Sequence, residues 1–383
     1  MIYLDNNATT TVDPAVRDAM LPLLSERYGN PSSMHRFGQE ARQAVERARF
    51  QVAALLGCDA KELLFTSGGT ESDNAAIHGL LALRAGRKTI ITSTVEHSAV
   101  QEPTRALAKA GYRLVEIPVD GRGALDMVAL ETALADPDAA LASIMWANNE
   151  TGVLFDPAAI GALCKQHGVP LHVDGVQAVG KVAMELRQLP IDALSVSAHK
   201  FHGPKGVGAL YLRRGVRWQP WQRGGPQERD RRGGTENVAG IVGMGMAAEL
   251  AAKSLAEGRD TARIAVLRDR LERKILERIP DSHLNGDPQH RVANTTNIGF
   301  AGLEAEAILL LLSERDICAS AGAACSSGSL EPSHVLRAMH LPERIAHGAI
   351  RFSLSRQTTE ADIDGALAVL PEVIAKLRAT LPV

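Results

Sequence analysis

The chemistry of this chain reads most directly from Lys200. It stands in Ser195-Val196-Ser197-Ala198-His199-Lys200-Phe201-His202-Gly203-Pro204-Lys205-Gly206, just past a short buried run of strand type and ahead of a Gly-Pro-Lys-Gly turn. A lysine held in a crevice by tight turns can form a Schiff base if neighbouring cations and partial burial lower its pKa. The bland alternative is a solvated loop lysine, the usual fate of that residue type. A second site is His172-Val173-Asp174-Gly175-Val176-Gln177, after another buried run. Alternation along a strand puts His172 and Asp174 on one face. An acid at a strand's carboxyl end points into the crevice where open α/β sheets bind ligands, although a helix N-cap would look the same. His172 reads better as a satisfied core or rim histidine. The third site, Ser67-Gly68-Gly69-Thr70-Glu71, lies where a strand ends and a helix begins. Small residues there let backbone N–H groups approach a phosphate. A tight turn with Thr70 as N-cap is an equal reading. Neither a Walker A loop nor a GxGxxG fingerprint is present.

A Schiff-base lysine, an acid for a pyridinium nitrogen and a phosphate cup are what pyridoxal 5'-phosphate (PLP) chemistry needs. Lys200, Asp174 and the turn at 67–70 supply the three, with Ser197 and His199 as further phosphate donors. Together they argue against a solvated lysine. His97, in Glu96-His97-Ser98, could stack on a flat ring or carry protons. A helix-start residue in a rim loop fits its spacing equally. Cys325 is the one thiol in Gly322-Ala323-Ala324-Cys325-Ser326-Ser327-Gly328-Ser329, which reads as a loop able to carry a nucleophile to and from a site. Its alternative is a small residue on a surface loop. Cys58, Cys164 and Cys318 sit in helical or strand-like contexts and read as structural. Arg351, in a strand-like run, suits bidentate carboxylate binding or a structural salt bridge.

These residues need elements to hold them. Leu63–Thr66, Thr89–Thr92, Tyr112–Ile117, Leu141–Met145, Leu171–Val173, Ala193–Val196 and Val207–Leu212 are short apolar or β-branched runs alternating with helical patterns. That texture predicts a mainly parallel sheet covered on both faces. Beyond Glu257 it changes. Two long helical patterns, Val238–Ala256 and Thr261–Ile279, precede strand-like Thr295–Phe300 and Ile350–Leu354, with helices near Glu304–Leu312 and Glu360–Leu377. A large domain over 13–257 and a smaller α+β domain made of 1–12 with 258–383 are the expected division, in keeping with 383 residues and ~150 per domain.

Composition closes off other classes. A net charge of −2 lacks the basic footprint of nucleic-acid binding or of an anionic membrane surface. Four cysteines without a CxxC pair exclude zinc-ribbon spacing and a disulfide framework, and fit a reducing cytoplasm. The start Met1-Ile2-Tyr3-Leu4-Asp5 shows no secretory signal. The longest uncharged apolar stretch, Val238–Ala248, falls short of the ~18 residues that read as a membrane helix. A soluble cytoplasmic protein is expected.

The chain resembles the class V aminotransferase-fold cysteine desulfurases of the NifS/IscS type. The matching motifs are Tyr3–Thr10, Gly29–Ser33, Thr66–Asn74, Asn148–Gly152, His172–Lys181, Ser197–Gly208, Arg232–Asn237, Cys325–Leu336 and Ser353–Thr359, over most of the chain. The Trp146–Gly152, Gly234–Asn237 and Cys325–His334 wording is closest to the NifS branch, which serves nitrogenase cluster assembly. The resemblance implies a PLP-dependent transferase of fold type I, with a mainly parallel seven-stranded sheet between helices. It implies that Lys200 carries PLP, that Asp174 meets the pyridinium nitrogen and that Gln177 donates to the phenolic oxygen. Asn149 would sit beside that oxygen and the substrate, and His97 would stack on the ring and carry protons. Gly69, Thr70, Ser197 and His199 would form the phosphate cup. Thr235 would reach the phosphate of a neighbouring subunit, implying a homodimer. Arg351 would hold the substrate carboxylate, and Cys325 would become a persulfide. The implied activity converts L-cysteine to L-alanine and passes sulfur to an iron–sulfur scaffold or another acceptor, with Cys325 as a candidate transient cluster ligand shared with that scaffold. A selenocysteine lyase or an aminotransferase of the same fold is the alternative enzyme, and a sulfur-relay scaffold without catalysis is the alternative of another class. Val176 stands where smaller residues are frequent in the family, which bears on how the ring packs.

Overall fold

The computed structural model describes residues 1–84, 86–321 and 331–380, so Cys325 lies outside the described residues. The chain opens with β1 (Ile2–Tyr3), α1 (Pro14–Ser25) and α2 (Arg36–Leu56). It then alternates β2 (Leu63–Thr66), α3 (Gly69–Leu81), β3 (Thr89–Ser93), α4 (Ser98–Lys109), β4 (Arg113–Ile117), α5 (Met127–Leu134), β5 (Ala139–Met145), α6 (Pro157–Gln166) and β6 (Leu171–Asp174). Two further strands, β7 (Ala193–Ser197) and β8 (Gly208–Leu212), complete a seven-stranded sheet in the order β2-β8-β7-β6-β5-β3-β4. Every residue of β5, β6 and β7 is buried, as strands covered on both faces require.

Direction in this sheet decides where the chemistry gathers. Strands β7, β6, β5, β3 and β4 run parallel, so their carboxyl ends share one edge. Strand β8 is antiparallel to both β7 and β2. Two reversals bring β2 back into the direction of β7, and the turn after Thr66 therefore opens on the same edge as Asp174 and Ser197. The register is explicit, because Thr66 and Ser197 both pair with Gly208. Only glycine fits there: a Cβ at Gly208 would lie 2.7 Å from Gly68 Cα and 2.4 Å from Val196 O.

After the single irregular turn α7 (Gln227–Asp230), α8 (Val238–Glu257) packs on α1 and α2. Glu249 and Lys253 lie within α8, so the helix outruns the uncharged apolar stretch Val238–Ala248. Among the described residues it is the one helix long and apolar enough to cross a membrane, and half of its apolar window is buried in the protein. The chain continues through α9 (Arg259–Arg278), β9 (Ser282–Asn285), β10 (Thr295–Phe300), α10 (Ala305–Ser313), β11 (Ile317–Cys318), α11 (His334–Ala338), α12 (Glu343–Ala346), β12 (Ala349–Ser353) and α13 (Glu360–Thr380). An antiparallel sheet β12-β10-β9 forms here, and β1 pairs in parallel with β11. Leu4 joins Leu271, Ile298, Phe300, Ile350 and Ile363 in a second apolar cluster. The first residues thus belong with the C-terminal elements, and then run back to the large sheet where Thr10 N bonds His199 O at 2.9 Å.

One backbone feature bears on the site. Glu228, Arg229 and Asp230 have φ of 47°, 59° and 61°, a left-handed run that non-glycine residues adopt only at a cost. Burial of an ion pair holds it. Glu228 meets Arg49 through two bonds of 2.7 and 2.8 Å, both side chains are nearly inaccessible, and Phe65 N donates to the same carboxylate at 3.0 Å. The next residues carry Arg232, whose guanidinium grips Glu71 at the start of α3 with bonds of 2.8 and 3.1 Å. Glu228→Ala is expected to cost about 3–5 kcal/mol, because it strands a buried guanidinium. The paired change Arg49→Met with Glu228→Leu should lose far less. Denaturant midpoints of the two variants compare them, and equal losses would mean that the pair does not carry the turn.

Candidate active site

The shared carboxyl edge opens on a cleft of about 740 Å³. Its walls bring together Gly69, Thr70, His97, Asn149, Asp174, Gln177, Ser197, His199 and Lys200. These residues are far apart in the chain and meet because five different strand ends lead to them. Thr235 and Arg351 do not line the cleft. Thr235 is exposed, on the segment that Arg232 ties to α3. Arg351, on β12, is 2% exposed and donates to Asn149 O at 3.0 Å and to Asp5 Oδ1 at 2.6 Å. Its salt-bridge reading is therefore realised in this state, beside the cleft residue Asn149.

Lys200 ends a one-turn 3-10 helix, Ala198–Lys200, that follows β7 directly. His202, at φ 68°, reverses the chain and is fastened by Thr10 Oγ1, which accepts from its N–H at 2.8 Å. The lysine is half-buried, and its Nζ donates to Asn7 O at 2.6 Å and Ala8 O at 2.9 Å. Asp174 is the last residue of β6 and 6% exposed, with Val176 N donating to Oδ1 at 2.9 Å. Burial raises its pKa, while His97 and Lys200 pull it down. His97 is the helix-start residue that its spacing allows, and it also stands on the cleft wall. It N-caps α4, with Nδ1 accepting from Ala99 N at 3.1 Å, and it lines the cleft. An accepting Nδ1 leaves the neutral ring's proton on Nε2. Burial first, then Lys200, lowers its pKa against the pull of Asp174.

The start of α3 corrects one expectation. Gly68, not Thr70, occupies the N-cap position, and no side chain caps it. The first N–H groups of α3 are thus left without a side-chain acceptor, as an anion site needs. Gly69 is required by close approach: a Cβ there would stand 2.8 Å from Val176 Cγ2. Val176 therefore packs over the glycine turn and narrows the cleft from that side.

His172 is the core histidine that its sequence context suggests. Ser143 Oγ at 2.8 Å and Ser195 Oγ at 2.9 Å hold both ring nitrogens, and burial pushes its pKa down to about 3. Sequence reasoning misses its neighbour Asp73, a cleft residue 1% exposed whose Oδ1 lies 3.5 Å from His172 Nε2. Burial and then the Asp174 carboxylate push Asp73 well above the usual carboxylate range. The signal for it is an acid four residues after Gly69, on the same helix face. Glu96 is missed too. It is fully buried, binds Ser93 Oγ at 2.6 Å and Met145 N at 3.0 Å, and is raised by burial to about 8. Asn7 has no role of its own in the Tyr3–Thr10 motif, yet its carbonyl receives Lys200.

Cys325 lies outside the described residues, but both flanks of its segment are fastened beside the site. On one side Ser320 and Arg351 exchange backbone bonds of 2.7 and 3.2 Å. On the other, Ser333 Oγ donates to Glu150 Oε2 at 2.5 Å and His334 Nε2 meets Glu96 O at 2.9 Å. Burial raises Glu150 to about 7, eased by Ser333 and Arg351. Burial pushes the Cys58 and Cys164 thiols up to about 12, where a thiol is inert. No group of three or more metal-ligating side chains occurs among the described residues.

A lysine, a buried acid and an uncapped helix start gather on the carboxyl edge of a mainly parallel sheet, the edge on which open α/β folds bind their ligands. The Aminotransferase class-V family profile matches residues 2–365, and the chain belongs to that family. It is 55% identical over 382 residues to "Cysteine desulfurase 2" of Trichormus variabilis, covering 100% of this chain and 95% of the relative. It is 50% identical over 382 residues to "Cysteine desulfurase NifS" of Azotobacter vinelandii, covering 100% of this chain and 94% of that protein. A solved "NifS-like protein" superposes with a TM-score of 0.91 at 38% identity, covering 98% of this chain and 100% of the other.

Proposed function

We propose that this chain is a PLP-dependent cysteine desulfurase that converts L-cysteine to L-alanine and carries the sulfur as a persulfide on Cys325. The observation that carries the reading is the placement of Lys200, buried Asp174 and the uncapped start of α3 on one cleft, in a chain that matches 95% and 94% of the length of two relatives named cysteine desulfurase. The residues present fit the cofactor. Gly69 leaves the α3 amides open to a phosphate, with Ser197 and His199 beside them and Thr70 in the first turn. Asp174 is a buried acid that a cationic ring nitrogen would compensate. Burial, and then Lys200 and Lys205, lower His199 to about 4, and an adjacent phosphate anion would pull it back up.

PLP, when bound, supplies an electron sink for the carbanion at the substrate Cα. Lys200 Nζ would hold it and, once released, would move the Cα proton; Asn7 O and Ala8 O receive the ammonium when that nitrogen is not otherwise engaged. Asn149, Gln177 and His97 orient the reacting groups, and Nε2 of His97 is the proton carrier. The Cys325 thiolate attacks the substrate sulfur, the Cβ–S bond breaks with its electron pair left on carbon, and protonation yields alanine. Arg351 would exchange Asp5 for the substrate carboxylate.

Further parts of the proposal concern assembly and partners. Thr235, exposed and tied to α3, reaches the phosphate of a partner subunit in a homodimer. The division into 13–257 and 1–12 with 258–383 is supported by the separate second cluster around Leu271 and Phe300. The sulfur acceptor is an iron–sulfur scaffold or other persulfide acceptor in the cytoplasm, with Cys325 a transient cluster ligand in that encounter, and the NifS name of one relative favours nitrogenase-associated assembly. The selenocysteine lyase and aminotransferase readings are not favoured, since the relatives compared carry desulfurase names. The test is to incubate the PLP-loaded protein with L-cysteine, measure alanine, and map the bound sulfur by mass spectrometry. One added sulfur on the Cys325 peptide with equivalent alanine is expected; a keto acid in place of alanine would overturn the reading.

A further inference from the structure

Lys181 takes no part in the chemistry above, yet it is a second half-buried lysine beside this site. It lies one helical turn after Gln177, and its Nζ donates to Gln177 Oε1 at 2.7 Å and to Asn7 Oδ1 at 2.9 Å. The same two partners meet again, since Gln177 Nε2 donates to Asn7 O at 2.9 Å. Lys200 Nζ donates to that carbonyl at 2.6 Å. Asn7 thus holds Lys181 on its side-chain oxygen, and both Gln177 and Lys200 on its backbone oxygen. It is itself immobilised from the far side, where Nδ2 donates to Thr295 Oγ1 at 2.9 Å and Asn149 O at 3.1 Å.

A lysine nitrogen that donates to an amide picks out the oxygen, so Lys181 fixes which end of the Gln177 amide faces which way. The NH2 end then turns to Asn7 O with one N–H, and the other is left for the cleft that Gln177 lines. Without Lys181, Oε1 would be a buried acceptor with no donor, and the bond from Nε2 to Asn7 O would be left to hold the amide by itself, so its N–H would be aimed less firmly.

We propose that Lys181 is a positioning residue that aims the Gln177 N–H into the cleft and so sets the pH at which a ligand bonded to Lys200 titrates. The inference rests on the function proposed above. A donor aimed at a ligand oxygen stabilises its anionic form, and a second lysine nitrogen near Lys200 opposes protonation there. Both effects act in one direction, and losing Lys181 moves the titration upward. Burial, and then Lys200 and Arg351, lower the pKa of Lys181 itself, consistent with two lysines competing at one residue. The other ionisable groups facing the pair are Asp174 on β6, Asp73 on α3, His97 at the start of α4, His199 and His202 on either side of Lys200 and Arg351 on β12, and all remain in the variants.

The experiment loads the full chain and its Lys181→Met and Lys181→Arg variants with PLP, and titrates the visible absorbance band from neutral to alkaline pH. PLP affinity is measured alongside by fluorescence of the apo protein. Lys181→Met should raise the midpoint by about one pH unit and weaken PLP binding roughly tenfold. Lys181→Arg, which keeps a donor, should return both toward the wild type. Lys181→Leu serves as the second variant without a donor if the methionine variant does not fold, judged by near-ultraviolet circular dichroism. Coincident midpoints in all folded variants would overturn this inference alone. A wild type that takes up no PLP would overturn the proposed function and this inference together.

Discussion

Lys200→Ala is expected to lower kcat/KM for alanine formation from L-cysteine by about a thousandfold or more, the range in which a lost acid–base group falls. The visible band of the PLP-loaded protein should vanish with it. The fold should tolerate the change. Lys200 Nζ donates to two backbone carbonyls, and Asn7 O keeps Gln177 as a donor once the lysine is gone. The turn that presents it is fastened by neighbours, through His202 N to Thr10 Oγ1 and Thr10 N to His199 O. Thermal unfolding of the apo variant should therefore stay near that of the wild type while turnover collapses. Turnover within tenfold of wild type would remove Lys200 from the mechanism.

Asp174→Asn should cut turnover by about a hundredfold, the scale of one lost electrostatic contact to a reacting group, and should raise the stability of the apo protein. The two effects have opposite signs for one reason. Asn keeps the oxygen that accepts from Val176 N and removes only the charge. In the apo protein that charge is buried, and its pKa stands above the 3.8 of an ordinary aspartate. A carboxyl with a raised folded pKa holds its proton longer folded than unfolded, so it costs no stability in acid and increasing stability as pH rises through the folded value. The gain from Asn should accordingly be absent below the unfolded pKa and grow toward neutral pH. Chemical denaturation of the apo forms across that range measures it. A stability difference that is flat with pH would show that Asp174 is not held as a strained carboxylate. In the proposed loaded enzyme a cationic ring nitrogen would offset the burial, which would account for the costly charge.

Most of the large sheet is legible in the amino-acid sequence. The runs at 63–66, 89–92, 171–173 and 193–196 match their strands within a residue or so, because strands covered on both faces must be continuously apolar and helices with glycine-rich ends separate them. Lys200, Asp174 and the turn at Ser67–Thr70 are legible for a different reason, since each stands where an apolar run stops. What is not legible depends on contacts across long sequence separations. Asp73 looks like one more polar position on a helix, and only the packing of α3 over β6 and β7 sets it beside Asp174 and His172. Thr70 looks like a cap because residue type carries that signal, whereas backbone conformation gives the cap to Gly68. Arg351 cannot be assigned between carboxylate ligand and salt bridge by its own sequence context, and its partner Asp5 is 346 residues away.

The amino-acid sequence by itself determined which residue types stand ready for chemistry: a lysine, an acid and a glycine turn set where apolar runs stop, because those residue types follow local rules of strand, turn and cap. Tertiary structure alone decided that the lysine, the acid and the turn meet. The double reversal through β8 brings the α3 start to the edge of β6 and β7, and β1 pairs with β11 while the next residues cross back to the large sheet, delivering Asn7 to Lys200, Gln177 and Lys181. Strand direction and register are settled between segments far apart in the chain, and no local pattern encodes them.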